Sequence, residues 1–382
     1  MSGPHWLVNA EATAATFSTT TVRSGLRSLR CNTSASKSAA QTISFPAFTR
    51  LVGRFYLYFA TLPSADTTVA TIGNTVNTGS HIRFSQADSK IYAAVDTTLG
   101  ATGVAVTTGI WYRIDFDFFI DTAGNDTSDV KVDGTACGQA AAAGFGAGLT
   151  VFNLGMRITA TGDLYFDDCI LSTTAADYPL GAGYILSYIP NADGSHNVAG
   201  ANDFERTLTG TDIDNTTTDA YLLVDDRPLE SVEGDFINGK TPFNSTDYVE
   251  IAYEDSVEAV APRSVEAIVG YHDAGGAGTE NFSVTLRDSG GGTTADIMAA
   301  AARNVGAAMS WDRAHFTTIP GGGAWTLAAF NALRSRFLVS DASPDVYLDG
   351  LMLEAEYAPV NIGGEHPITE WPMRRRLMVL AH

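Results

Sequence analysis

Two carboxylates stand side by side, Asp167 and Asp168, inside the apolar run DLYFDDCIL of residues 163–171. Paired carboxyl groups cleave glycosides when they face one another across a sugar, about 5 to 9.5 Å apart. Neighbours on a regular strand point to opposite faces, so this pair is not set for that chemistry. The run returns as DVYLDGLML at residues 345–353, where Asp349 keeps the place of Asp167 and Gly350 takes that of Asp168. A repeated Asp two residues after a repeated Tyr points to a structural role, a side chain bonded to a nearby loop. Asp168, without a counterpart, is expected to make a local surface or loop contact.

Other motifs are weighed by their context. GDFINGKT, Gly234 to Thr241, fits the string of a phosphate-binding loop. The preceding LESVE is not a buried strand, Asp235 repels phosphate, and Pro242 stands where the helix should begin, so a surface turn is expected. NADGSHN (191–197) and DIDNTTTD (212–219) carry oxygen ligands but lack the register of a calcium loop, and read as Asn/Asp turns. No HExxH, GxSxG or zinc-type Cys/His cluster occurs, and no cofactor or metal site is expected.

A sugar-facing surface is a different matter. In IWYRIDFDFFID (110–121), Tyr112, Ile114, Phe116, Phe118 and Ile120 share one face of a strand, and Trp111, Arg113, Asp115 and Asp117 the other. An aromatic ring can stack on a sugar while charged groups bond its hydroxyls, which makes these four residues the candidate glycan-facing set. A solvated sheet face would show the same alternation.

The elements that position such residues are strands. Thr, Val, Ile, Tyr and Phe gather in short runs between Gly, Asn, Asp and Ser punctuation, and the fold class is all-β. The length of 382 residues suits two domains, and two similar closing strands agree. The expected architecture is two antiparallel β-sandwich (jelly-roll) domains in tandem, residues 1–178 and 179–359, followed by an extended C-terminal arm, 360–382. Helical spacing is seen over 293–306, which reads equally as strand and loop, and over 324–337. The arm carries Trp371, Arg374, Arg375 and Arg376, basic and aromatic on an acidic chain, and is a candidate subunit-docking segment.

Composition limits the partners. A formal charge of −20 repels a phosphate backbone, and no apolar run is long enough to span a bilayer, so neither nucleic-acid binding nor membrane insertion is expected. The N-terminus shows no classical secretory signal. Cys31, Cys137 and Cys169 are too sparse for a disulfide framework. A Cys31–Cys169 bridge is conceivable if first and last strands are neighbours, but three reduced, buried thiols is the preferred reading.

The first domain resembles the concanavalin-like jelly rolls of the laminin-G and carbohydrate-binding-module type, on the runs RSGLRSLRC, RFYLYFATLP, WYRIDFDF with VKVDG, and LYFDDCIL. In modules of that type an Asp on the last strand can join a structural calcium site, which the resemblance places at Asp167. The second domain, with DYVEIAYE, VEAIVGYHD, GGGAWTLAAFNALRSRFLV and VYLDGLMLEAEY, is similar to β-sandwich modules of tailed-bacteriophage structural proteins. That resemblance implies a non-enzymatic virion-surface protein, tail-associated or on the head, assembled in the host cytoplasm. Its implied partners are other virion proteins, copies of itself (often as trimers) and host surface glycans. The alternatives are a carbohydrate-binding module protein and a jelly-roll polysaccharide hydrolase or lyase.

Overall fold

The computed structural model is built almost wholly from antiparallel strands. It describes residues 6–8, 15–24, 28–33, 39–75, 78–121, 125–142, 149–156, 160–198, 204–206, 211–225, 236–239, 247–273, 278–287, 294–305, 310–339 and 346–358. Four sheets arise, two from residues before 173 and two from residues after 183, and each pair encloses its own apolar cluster. Antiparallel sheets need this arrangement, because each has one apolar face that must be buried against another.

In the first pair, one sheet runs Trp6–Val8, Ala39–Phe48, Leu149–Met156, Thr67–Thr75, Thr78–Ser85, Lys90–Val95, Val104–Ala105. The facing sheet runs Thr135–Ala136, Asp126–Val132, Trp111–Phe119, Arg50–Thr61, Gly162–Ser172, Ser28–Thr33, Ala15–Ser18. Alternation sorts the Trp111–Phe119 strand as expected: Ile114, Phe116 and Phe118 enter the core, and Trp111, Arg113, Asp115 and Asp117 lie on the outer face.

In the second pair, Val346–Tyr357 pairs with Ser264–Asp273, Ile237–Gly239 and Tyr184–Tyr188, while Val249–Tyr253, Arg334–Val339, Gly278–Arg287 and Thr294–Val305 form the core of the opposite sheet. Both copies of the repeated run are thus the last strands of their sheet pairs, and both lie inside a sheet rather than at its edge.

Of the two segments with helical spacing, the first takes its strand alternative and the second is corrected. Thr294–Val305 is a strand paired with Gly278–Arg287. Of 324–337 only Leu327–Asn331 is helical, capped by the Thr326 hydroxyl accepting from Ala329 N–H at 3.0 Å. From Arg334 the chain alternates Arg, Ser, Arg, Phe, Leu, Val, and pairing on both sides overrides the helix propensity of those residues. The lysine-loop string also resolves into a strand, since Ile237–Gly239 pairs with Phe204–Arg206 and Val346–Tyr357; Gly234, Lys240 and Thr241 lie outside the described residues.

All three cysteines are free thiols, and Cys31 faces Leu164 across the sheet, well short of Cys169. Burial pushes each thiol up from its ordinary range.

Candidate functional site

The outer face of the Arg50–Thr61 sheet changes character along its strands. At one end it is open and aromatic; at the other it is buried and charged.

At the open end, register aligns Trp111 with Tyr58, Tyr58 with Tyr165, and Tyr165 with Arg30. These residues come from four adjacent strands and point to one side, because partners in antiparallel register share a face. The Trp111 and Tyr58 rings lie 5.3 Å apart at 44°, and Tyr58 meets Tyr165 edge-on at 5.9 Å. Arg30 covers the far end, its guanidinium 5.5 Å from the Tyr165 ring. It binds Asp163 through both carboxylate oxygens, at 2.9 and 2.8 Å, a bidentate pair that fixes the fork. Trp111, Tyr58 and Arg30 are each partly exposed, while Tyr165 is buried between them and supports the Tyr58 ring from the side. At ordinary strand spacing the row is roughly 14 Å long, enough for several sugar rings laid across the strands.

Further along the same strands the face closes. Arg54, opposite Asp115, is fully buried and donates to Glu356 at 2.9 Å and to the Gly181 carbonyl at 3.1 Å. Asp115, also fully buried, accepts from Gly181 N–H at 3.0 Å and from Arg113 Nε at 2.7 Å. Asp117 is held by Arg50, 2.8 Å from its Nε. The connection between the two sheet pairs and the end of the last strand therefore lie on this part of the face.

The four residues read from the sequence as glycan-facing are thus divided. Trp111 belongs to the open row, and Arg113 turns its guanidinium to Asp115. Burial takes Asp115 and Asp117 out of reach of a sugar. Tyr58, Tyr165, Arg30 and Asp163 could not be grouped with Trp111 from the sequence, because strand register is needed to align them. The arm residues Trp371, Arg374, Arg375 and Arg376 lie outside the described residues.

Asp167 and Asp168 mark a β-bulge. The register against Arg50–Thr61 shifts between Asp167 and Ile170, and Asp168 takes a left-handed φ of 48°. The bulge brings both carboxylates to the same loop, which corrects the opposite-face expectation. Asp167 accepts Arg23 N–H at 2.8 Å and Ser24 N–H at 3.3 Å, the loop bond expected of it. Asp168 is buried rather than a surface contact: it pairs with Arg23, accepts the Ser24 hydroxyl, and accepts Ile185 N–H at 2.8 Å. The second copy carries its register shift at the same place, around Asp349 and Gly350.

Burial, with the Asp168 charge beside it, pushes the Asp167 carboxyl up to about 7 against the backbone N–H bonds that favour its charge. The folded chain then holds more protons than the unfolded one between about pH 4 and 7, so this group's contribution to stability falls as pH rises through that window. Thermal scans should show the melting temperature declining across the window. Asp167→Asn should flatten the decline, and an unchanged slope in that variant would remove Asp167 as its source.

The turn reading holds at DIDNTTTD, where Asp214 accepts Thr216 N–H at 2.7 Å. It is corrected at NADGSHN, which begins in the strand Pro190–Asp193 and whose Asp193 accepts the distant Ala220 and Tyr221 N–H at 2.9 and 2.7 Å.

Fold and face define an antiparallel β-sandwich protein with an aromatic sheet surface. No protein-family model matches the chain. No curated protein matches it either. Among solved structures it is similar to the cellulose-induced protein Cip1, at 15% identity over 42% of this chain and 85% of that one, with a TM-score of 0.35. It is similar to an endo-β-1,4-glucuronan lyase from the fungus Trichoderma reesei, at 14% identity over 47% of this chain and 98% of that one, TM-score 0.35. A third is the carbohydrate-binding module CBM66 from Bacillus subtilis, at 8% identity over 45% and 96%, TM-score 0.30. The expectation of a chain without enzymatic activity is corrected: the structures it is similar to include one named as a lyase, and a fold does not by itself fix activity. The virion reading draws no support from the comparisons.

Proposed function

We propose that the protein binds glycan chains through the open end of the Arg50–Thr61 sheet, and that its two sheet pairs are separate domains joined near residues 173–184. The observation that supports this reading is the in-register pair of partly exposed rings Trp111 and Tyr58, backed by the buried Tyr165 and flanked by the Arg30–Asp163 pair. Aromatic rings offer flat apolar surface to the faces of sugar rings, and a fixed Arg–Asp fork offers donors and acceptors to their hydroxyls. The length of the row favours an extended chain lying across the strands over a single terminal sugar.

A glycan array, followed by calorimetric titration of the best ligand, tests the reading. Trp111→Ala should weaken binding by about 2 kcal/mol, roughly 30-fold, as for a central aromatic anchor, and Tyr58→Ala by a similar amount. Both residues are only partly buried, so the melting temperature should stay within a few degrees of the parent. A folded protein that binds no glycan, or binds equally well without Trp111, would show the proposal to be wrong. Product analysis of the same mixtures reads whether the bound chain is also cleaved.

A further inference from the structure

The second sheet pair carries an arrangement that glycan binding does not use. On the outer face of its Val249–Tyr253, Arg334–Val339 and Gly278–Arg287 strands, Glu250 faces Arg336, and Arg287 faces Arg334 directly across the ladder. Like charges in direct cross-strand register repel. One carboxylate is shared between two of the three guanidinium groups: Glu250 Oε2 lies 2.6 Å from Arg336 Nε and 3.2 Å from Arg287 Nη1. Its other oxygen accepts Ser195 N–H at 3.1 Å. Arg336 also packs on the Tyr248 ring, at 3.8 Å. Arg334 has no carboxylate partner among the described residues; its Nη1 donates only to the neighbouring Leu333 carbonyl, at 2.8 Å.

These groups line an open cleft of about 330 Å³, with Arg287, Arg334 and Glu250 on the sheet side and Asp193, Gly194 and Ser195 on the loop side. Gly194 lets the loop close on the sheet, since a Cβ there would come within 2.4 Å of Glu250 Cγ. Asp193 does not repel an incoming anion as an open carboxylate would, because its oxygens accept Ala220 and Tyr221 N–H and pair with His196. The cleft therefore holds a half-used guanidinium fork beside a second arginine, in a chain whose overall charge is −20.

We propose that this cleft is an oxyanion site, taking the carboxylate, sulfate or phosphate group of a small ligand between Arg334 and Arg287. A planar guanidinium binds such a group through two parallel hydrogen bonds, and an anion placed there relieves the Arg287–Arg334 repulsion. Arg336 and Arg287 are each paired with Glu250, whereas Arg334 has no carboxylate partner among the described residues.

Calorimetric titration of the intact protein with glucuronate, inorganic sulfate and inorganic phosphate, each against chloride at matched ionic strength, tests the site. At least one should bind one-to-one and raise the melting temperature, and which one binds identifies the source of the group. Arg334→Met should weaken that binding about tenfold or more, and Arg334→Lys, which keeps the charge without the fork, by an intermediate factor. Without ligand, Arg334→Met should melt at or above the parent temperature, because it removes repulsion rather than a needed contact. Binding no stronger than chloride for all three anions, equal binding by Arg334→Met, or a ligand-free Arg334→Met that melts well below the parent overturns the proposal. None of these outcomes depends on the aromatic face.

Discussion

Replacing Arg54 with Met is expected to cost about 3–5 kcal/mol of stability and to separate thermal unfolding into two transitions. Arg54 stands in the first sheet pair, and its partners Gly181 and Glu356 stand in the connection and the last strand of the second. The side chain is fully buried, so deleting it leaves Glu356 facing a dry space with only the weaker contacts of Ser264 at 3.4 Å and Arg263 at 3.9 Å. Breaking one member of a buried pair costs far more than the pair contributes net, because the desolvation of the survivor is no longer offset. Scanning calorimetry of Arg54→Met and of the double variant Arg54→Met/Glu356→Leu reads the two effects apart. Replacement of both members by apolar groups should recover most of the loss, while a single-variant melt identical to the parent would show that the pair does not hold the sheet pairs together.

The same pair shows why the sequence yields some of this surface and not the rest. Alternation in WYRIDFDF is a local property, and it places Trp111 and Asp115 on the outer face correctly. Which end of that face stays open is decided by Gly181, Gly183 and Glu356, residues 66 to 241 positions distant from Asp115 in the chain, and nothing in a strand's own period reports them. Tyr58 and Tyr165 carry the same limit: each is legible as an outward residue of its strand, yet only the pairing of Arg50–Thr61 with its two neighbours brings them beside Trp111. The repeated Asp-Asp and Asp-Gly dipeptides were a legible signal of another kind, since both fall where the register slips. A bulge re-aims a side chain, and Asp168 uses it to reach Arg23 and Ile185. The helical reading of 324–337 failed because its apolar spacing fits both a short helix and a strand with alternating arginines, and tertiary pairing chose the division.

Gly53→Val should be the most damaging small substitution in the first core, at about 1–3 kcal/mol and toward the upper end of that range. Gly53 lies opposite Phe116 in the ladder, and a Cβ there would come within 2.2 Å of Phe116 Cζ. The ring cannot step aside, since it is stacked on Phe118 at 4.6 Å and on Phe152 of the facing sheet at 5.5 Å. A glycine inside a strand normally weakens it, and here its place is explained by the close approach of that ring. Phe116→Ala alone should cost about 3–5 kcal/mol through the cavity it leaves. In the Gly53→Val background the same truncation should cost markedly less, because the valine fills part of the space that the ring vacates, with a coupling of about 0.5–3 kcal/mol. Denaturant unfolding of the four proteins in this cycle measures that coupling directly. Strict additivity would mean that the ring and the glycine do not share one site, and the two sheets would then have to be held together at that point by Phe55 and Phe118 instead.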